Sequence, residues 1–215
     1  MRKLLLILFL FLIPNFASAG CDDPLTDGVD YTKCRFSDGQ DLQGSFLPNS
    51  NLSFASFIQV NFDKSIMMNS NLSFGTFPES TFIRANLYES VLVGANFEKT
   101  NFTGANLTRA DFMGSTLIEA NFQNANLMGA NFTSSNMTNA NFEKTNFNGA
   151  NLTRVDFMGA TLIETNFQNA NLMEAKFTSS NITNANFDGA NLIGATWTNG
   201  EVCGPDSIGV CNKTN

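Results

Sequence analysis

From Leu42 to Val202 every fifth residue is apolar, 33 positions in succession: 15 Phe, 13 Leu, two Met, and one each of Ile, Trp and Val. The residue two before each of these centres is nearly always small, with 16 Ala, 9 Ser, 3 Thr and 2 Gly; Gln40, Val60 and Val155 depart. The residue just before the centre is Asn in 19 units, Asp in three and Thr in five. The unit is therefore (Ala/Ser)-(Asn/Asp/Thr)-(Phe/Leu)-x-x. An α-helix cannot use this pattern, because five residues advance about 500° and scatter the centres around its whole surface. A flat strand cannot use it either, because an odd period sends successive centres to opposite faces. The chain must turn after each unit so that every centre returns to the same inner side. That is a solenoid, in which each unit buries its apolar side only against its neighbours.

The repeat accounts for an unusual composition. Of 215 residues, 43% are hydrophobic and 14% charged, with 30 Asn, 22 Phe and no His. Fifteen of the Phe are centres and 19 of the Asn stand just before one. Abundant Phe and a charged fraction well below the ~25% of ordinary domains both argue against disorder. The missing His removes His triads, His general bases and His metal sites together. A net charge of −7 lacks the basic footprint of a nucleic-acid binder. No nucleophile elbow, phosphate loop or metal-ligand cluster is visible, so neither an enzyme nor a cofactor is expected.

The N-terminus reads as an address. Met1-Arg2-Lys3, the apolar run Leu4–Ile13 and the small stretch Ala17-Ser18-Ala19 form a signal peptide over residues 1–19, too short in its apolar core to span a bilayer. Losing Arg2 and Lys3 takes the charge from −7 to −9. An alternative is a lipoprotein with Ser18-Ala19-Gly20-Cys21 as lipobox and Cys21 lipidated, although Ser18 is a poor residue there and an odd number of cysteines would remain. Export to the periplasm or the exterior places the chain where disulfides persist, and removal of the leader leaves no transmembrane segment. Cys21, Cys34, Cys203 and Cys211 lie only at the ends. Four cysteines allow three connectivities. If the middle is a rod, only the local pairs 21–34 and 203–211 can meet.

Runs such as Ala105-Asn106-Leu107-Thr108-Arg109 and Ala125-Asn126-Leu127-Met128-Gly129 resemble the pentapeptide-repeat family. The resemblance implies an all-β fold, a right-handed quadrilateral β-helix with four units per 20-residue coil and about eight coils. It implies that centres and the small residues two before them point inward and the other three outward. Residues 20–40 and 203–215 are then N- and C-terminal caps around a β-helix at 41–202, and the Trp197…Cys203…Ser207-Ile208-Gly209-Val210-Cys211 ending resembles that of exported family members. Centres 20 apart should stack, as in Phe62, Phe82, Phe102, Phe122 and Phe142. Asn before the centre is expected to bond turn backbone, to form ladders between coils, and to tolerate the awkward angles of corners.

Residues 96–140 and 141–185 are a tandem duplication matching at 38 of 45 positions. Nine units rotate the copy by about a quarter turn, so Arg109 and Arg154 should occupy adjacent faces. A function tied to one lateral face of the duplicated body would not survive this, which points to residues 42–95. There Phe54 and Phe74 are 20 apart on one face, Met68 and Tyr88 are paired on a neighbouring one, and Phe46 and Ile66 stand where Asn is usual. These six are the candidate contact residues for an unidentified protein or envelope partner. The acidic group Asp22, Asp23, Asp27, Asp30, Asp38 and Asp41 fits no EF-hand spacing and reads as a solvated cap. The chain is thus expected to be a non-enzymatic exported scaffold or binding module. Alternatives are a DNA-mimic protector of a type II topoisomerase, disfavoured by the leader, and a lipid-anchored envelope protein.

Overall fold

The structure, a computed structural model, describes Cys21 and residues 26–213. The leader, its cleavage site, the lipobox residues before Cys21, and Asp22 and Asp23 lie outside the described residues.

From Asp41 on, every fifth residue makes a parallel β-bridge with the residue 20 further along, from Asp41↔Asn61 to Lys176↔Thr196. The bridged residue is the one just before each centre, and the two after the centre form a turn. Four columns of stacked units result. Column 1 holds Leu42 to Ile182, column 2 Leu47 to Phe187, column 3 Leu52 to Leu192 and column 4 Phe57 to Trp197. Centres and the small residues two before them are buried through nearly the whole body.

The five-residue unit satisfies its own backbone, which explains its composition. In the unit around Phe62, the Phe62 and Lys64 amides donate to Thr81 and Ile83 on the next coil, at 2.7 and 2.9 Å. The Asn61 amide donates to Gln40 on the previous coil, at 2.9 Å, and Ser65 closes the turn on the Phe62 carbonyl, at 3.0 Å. One N–H remains, that of Asp63, and the Asn61 side-chain Oδ1 accepts it at 2.9 Å. This Asx-type bond recurs along the rod, from Ser73 on Asn71 to Ile193 on Asn191. Asn or Asp before the centre therefore completes the accounting of backbone donors. The second expected role also appears: Asn106 Nδ2 donates to Asn86 Oδ1 one coil away, at 3.0 Å. The awkward backbone angle, however, does not fall on this Asn. It falls two residues after the centre, where Lys64, Glu79 and Arg84 have φ of 59°, 56° and 58°. The turn must reverse direction after the centre, so the left-handed residue follows it. Inward hydroxyls also bond backbone carbonyls of the previous coil, Thr100 and Thr165 donating to Phe77 and Phe142 at 2.7 Å, whereas among the described residues the Ser65 and Ser115 hydroxyls have no partner.

Ring contacts run unbroken from Tyr31 to Trp197. Phe62–Phe82 and Phe147–Phe167, each 20 apart, stack at 4.8 and 5.3 Å with interplanar angles of 13° and 2°. Rings from different columns meet edge to face, as Phe102–Phe112 does at 6.1 Å and 89°. The duplication moves the phenyl stack from column 1 to column 2. The chain of rings survives because Phe142 and Phe132 both contact Phe147, at 5.3 and 5.7 Å.

The ends differ from the simplest expectation. The ladder starts before Leu42: Asp30↔Asn51 and Arg35↔Ser56 bridge with a 21-residue register. One extra residue between Arg35 and Asp41 absorbs the difference, and Tyr31 and Phe36 are buried as the first centres of columns 3 and 4. Cys34 takes the small inward position before Phe36 and is joined to Cys21. At the other end Val202 is not a buried centre but 47% exposed. The chain reverses at Gly200, whose φ is 85°, and Val202 pairs antiparallel with Thr196. Ile208 likewise pairs antiparallel with Asn191, covering the last coil's edge. The Cys203–Cys211 disulfide closes this cap, and the Trp197 ring lies against Phe177 and Phe187 at 5.4 and 5.3 Å.

Two outcomes follow from this packing. Ala125, 2% exposed, fills an inward corner that cannot hold three more heavy atoms, so Ala125→Leu should destabilise by about 1–3 kcal/mol, read as a lower urea midpoint by circular dichroism. Replacing Cys203 and Cys211 by Ser opens an eight-residue loop and should cost about 2.5 kcal/mol on the loop-closure model. Calorimetry should show a lowered melting transition for this variant and none for wild type treated with alkylating agent without reductant.

Candidate functional surface

The register assigns every outward side chain of residues 41–199 to a column, and the charges do not distribute evenly. Columns 1 and 4 carry 13 of the 19 charged residues in that span. Columns 2 and 3 carry six, and four of those neutralise one another. Arg109 reaches back one coil to Glu89 on column 2, at 3.1 Å, and Arg154 reaches forward to Glu174 on column 3, at 2.7 Å. The quarter-turn displacement of the duplicated arginines is thus realised, with opposite partners: Gly129 stands in the first copy where Glu174 stands in the second. The Tyr88 hydroxyl donates to Glu89 at 2.8 Å; that bond and Arg109 hold the Glu89 carboxyl below its ordinary range. Arg154 does the same to Glu174. Both pairs are fully exposed, so they organise the surface more than they stabilise the fold.

Exposed apolar side chains segregate the other way. Phe46, Ile66 and Met128 lie on column 2; Phe54, Phe74, Val91 and Met113 lie on column 3; of the exposed apolar residues in the body only Met158 lies elsewhere. Of the six residues singled out from sequence, Phe46, Phe54, Ile66 and Phe74 are exposed, and Met68 and Tyr88 are half-buried. Tyr88 belongs to the Glu89–Arg109 network, not to an apolar cluster. Phe54 and Phe74 stack, with centroids 5.1 Å apart and planes 17° apart. The Phe74 ring continues over Gly94, where a Cβ would come within 2.6 Å of Cε1. Val91, Val93 and Met113 extend this strip along column 3. They were missed because Val91 and Val93 stand in the last coil before the duplication and Met113 within it; the signal available was Val replacing the usual Asn at position 91.

The backbone is not helped by these residues. Phe54 and Phe74 occupy left-handed positions, φ 59° and 57°, where a bulky side chain costs roughly 1–2 kcal/mol relative to Gly. Ile66 and Val91 replace the Asn that would accept the next free N–H. Only at Phe46 is that loss harmless, because Pro48 has no N–H to satisfy.

Between columns 2 and 3, at the N-terminal end, the surface is hollowed into a cleft of about 330 Å³ lined by Asp30, Asn49, Ser50, Asn51, Asn69 and Asn71 among others. Among the described residues no three Asp, Glu or Cys side chains are grouped so as to hold a metal ion, and no helix is long and apolar enough to cross a membrane.

No curated protein matches the chain in sequence. Among solved structures, two trypsin-treated forms of QnrB1, described as a plasmid-mediated fluoroquinolone resistance protein, resemble it. One is 19% identical with a TM-score of 0.58, covering 86% of this chain and 90% of that one. The other is 17% identical with a TM-score of 0.51, covering 80% and 81%. HetL, a pentapeptide repeat protein from the cyanobacterium Nostoc, is 23% identical over 83% of this chain and 91% of its own, with a TM-score of 0.35. The fold shared with QnrB1 is a right-handed β-helix. No enzyme family is among the matches. The family description "Pentapeptide repeats" covers residues 41–73, 80–117 and 95–134, and "Pentapeptide repeat region" covers 130–204, so the chain belongs to the pentapeptide-repeat family.

Proposed function

We propose that this protein is a non-enzymatic exported scaffold whose charge-poor long side, columns 2 and 3 of a quadrilateral rod of about eight coils, docks a protein or envelope component. The observation that carries this reading is the segregation of outward residues. Thirteen of 19 charges lie on columns 1 and 4, whereas seven of the eight exposed large apolar residues of the body lie on columns 2 and 3. Near-perpendicular rings from neighbouring columns support the quadrilateral section, as Phe102–Phe112 does at 89°. The two disulfides suit an oxidising compartment, and the leader at 1–19 supplies a route there. The contact residues are Phe46, Phe54, Ile66, Met68, Phe74 and Tyr88, with Val91, Val93 and Met113 added. A lipid anchor on Cys21 would compete with its disulfide to Cys34, which favours the soluble form.

A second reading stays alongside it. QnrB1 is a fluoroquinolone resistance protein of the same fold, which supports protection of a type II topoisomerase despite the objection raised by the leader. The leader places the chain away from a cytosolic enzyme; the shared fold weighs the other way.

The scaffold reading is tested by cross-linking wild type and Phe54→Ser/Phe74→Ser to envelope extract, with intact mass of the exported chain. A mature N-terminus at Gly20 and a partner recovered by wild type but reduced at least tenfold with the variant are expected; equal recovery would remove the patch. For the second reading, a gyrase supercoiling assay under fluoroquinolone decides. Restoration of supercoiling by stoichiometric protein supports it, and unchanged inhibition at tenfold excess ends it.

A further inference from the structure

The cleft at the N-terminal end of the charge-poor side has a lining that selects among ligands. Two rows of amides one coil apart form it: Asn49 and Asn69 at the turn of column 2, and Asn51 and Asn71 just before the centres of column 3. Among the described residues no cation lines it, which disfavours phosphate, sulfate or carboxylate ligands. Its walls carry amides, a hydroxyl and the Asp30 carboxylate beside the aliphatic Val29, a mixed lining that suits a ligand with both hydroxyls and a C–H face. A volume of about 330 Å³ suits a single small ring system.

Part of this lining is already occupied. Asn49 Nδ2 donates to Asp27 at 3.2 Å, and Asn51 Nδ2 donates to Thr32 Oγ1 at 2.8 Å. Asn51 Oδ1 and Asn71 Oδ1 accept the Ser53 and Ser73 amides. Among the described residues the Asn71 Nδ2 and the Asn69 side-chain amide make no hydrogen bond, leaving donors and an acceptor on adjacent columns of one coil. Paired donor and acceptor groups of this kind match adjacent hydroxyls of a sugar ring. On the coil that carries the cleft residues Asn49, Ser50 and Asn51, exposed Phe46 and Phe54 stand three residues to either side, outside the cleft's own lining. Phenyl rings so placed can cover the C–H face of further sugar units.

We infer that the cleft and its flanking phenylalanines bind a neutral oligosaccharide, one pyranose ring in the cleft and its neighbours against Phe46 or Phe54. The inference rests on the reading that the charge-poor side is the working surface, and it names the chemistry of the partner there.

The test is an NMR titration of the mature protein with four neutral probes: cellotetraose, maltotetraose, laminaritetraose and tetra-N-acetylchitotetraose. Tetragalacturonate and spermidine serve as anionic and cationic comparisons. The expected result is saturable shifts of the Asn69 and Asn71 side-chain amides with at least one neutral probe, unchanged in 0.5 M NaCl. Asn69→Gly, which keeps the left-handed turn, and Asn71→Asp, which keeps the acceptor for Ser73, should each weaken binding about tenfold with an unaltered melting temperature. No saturable shift with any neutral probe, saturation by a charged probe alone, or full affinity in both variants would overturn the inference. Cross-linking to an envelope protein without sugar binding defeats this inference and leaves the scaffold reading standing. Sugar binding without any captured protein supports the inference and defeats the protein-partner form of that reading.

Discussion

In the body of the rod, wherever Asn or Asp precedes the centre, the five backbone N–H groups of the unit all find acceptors, and the rest of the molecule depends on that closure. Three donate between coils, one closes the turn on the centre's own carbonyl, and the fifth is taken by the Asn or Asp just before the centre. A unit that is complete in itself can be repeated without a conventional extended strand or a helix to organise it. It also explains why the pattern tolerates so much variety at the two turn positions. Their side chains leave the rod, and their backbone is already paired.

The same closure makes the rod indifferent to rotation. A nine-unit copy inserted at residue 141 shifts every side chain by one column, yet the interior accepts it because each column takes Phe, Leu or Met in stacked layers. Continuity of the ring contacts passes from column 1 to column 2 through Phe142, Phe132 and Phe147. What rotation does not preserve is a lateral surface, and the ion pairs show the consequence. Arg109 finds Glu89 above it, whereas its duplicate Arg154 must use Glu174 below. Even so, columns 2 and 3 remain nearly free of uncompensated charge along their length, and the bulky exposed residues collect at their N-terminal half.

Much of this was legible in the residues themselves. The period, the inward small residues, the stacking of Phe62 through Phe142 and the outward pairing of Phe54 with Phe74 follow from counting by five and by 20. The start of the ladder was less legible, because one extra residue between Arg35 and Asp41 breaks the count and hides Tyr31 and Phe36 as centres. Val202 continues the count yet leaves the core, because Gly200 reverses the chain. Tyr88 reads as an apolar neighbour of Met68, but its hydroxyl is committed to Glu89 and Arg109. The Asn-lined cleft has no signature at all, since its residues are ordinary members of the repeat.

By itself, then, the sequence determined the solenoid, its inward and outward residues, its family and its lack of histidine chemistry, because a five-residue period leaves one way to bury every centre. The tertiary structure decided the rest: where the ladder begins and ends, which arginine meets which glutamate, and how free amides on adjacent columns come together in a cleft. Those outcomes depend on contacts across 20 residues and on single insertions and reversals of the chain. Periodicity carries no information about either until the coils are stacked.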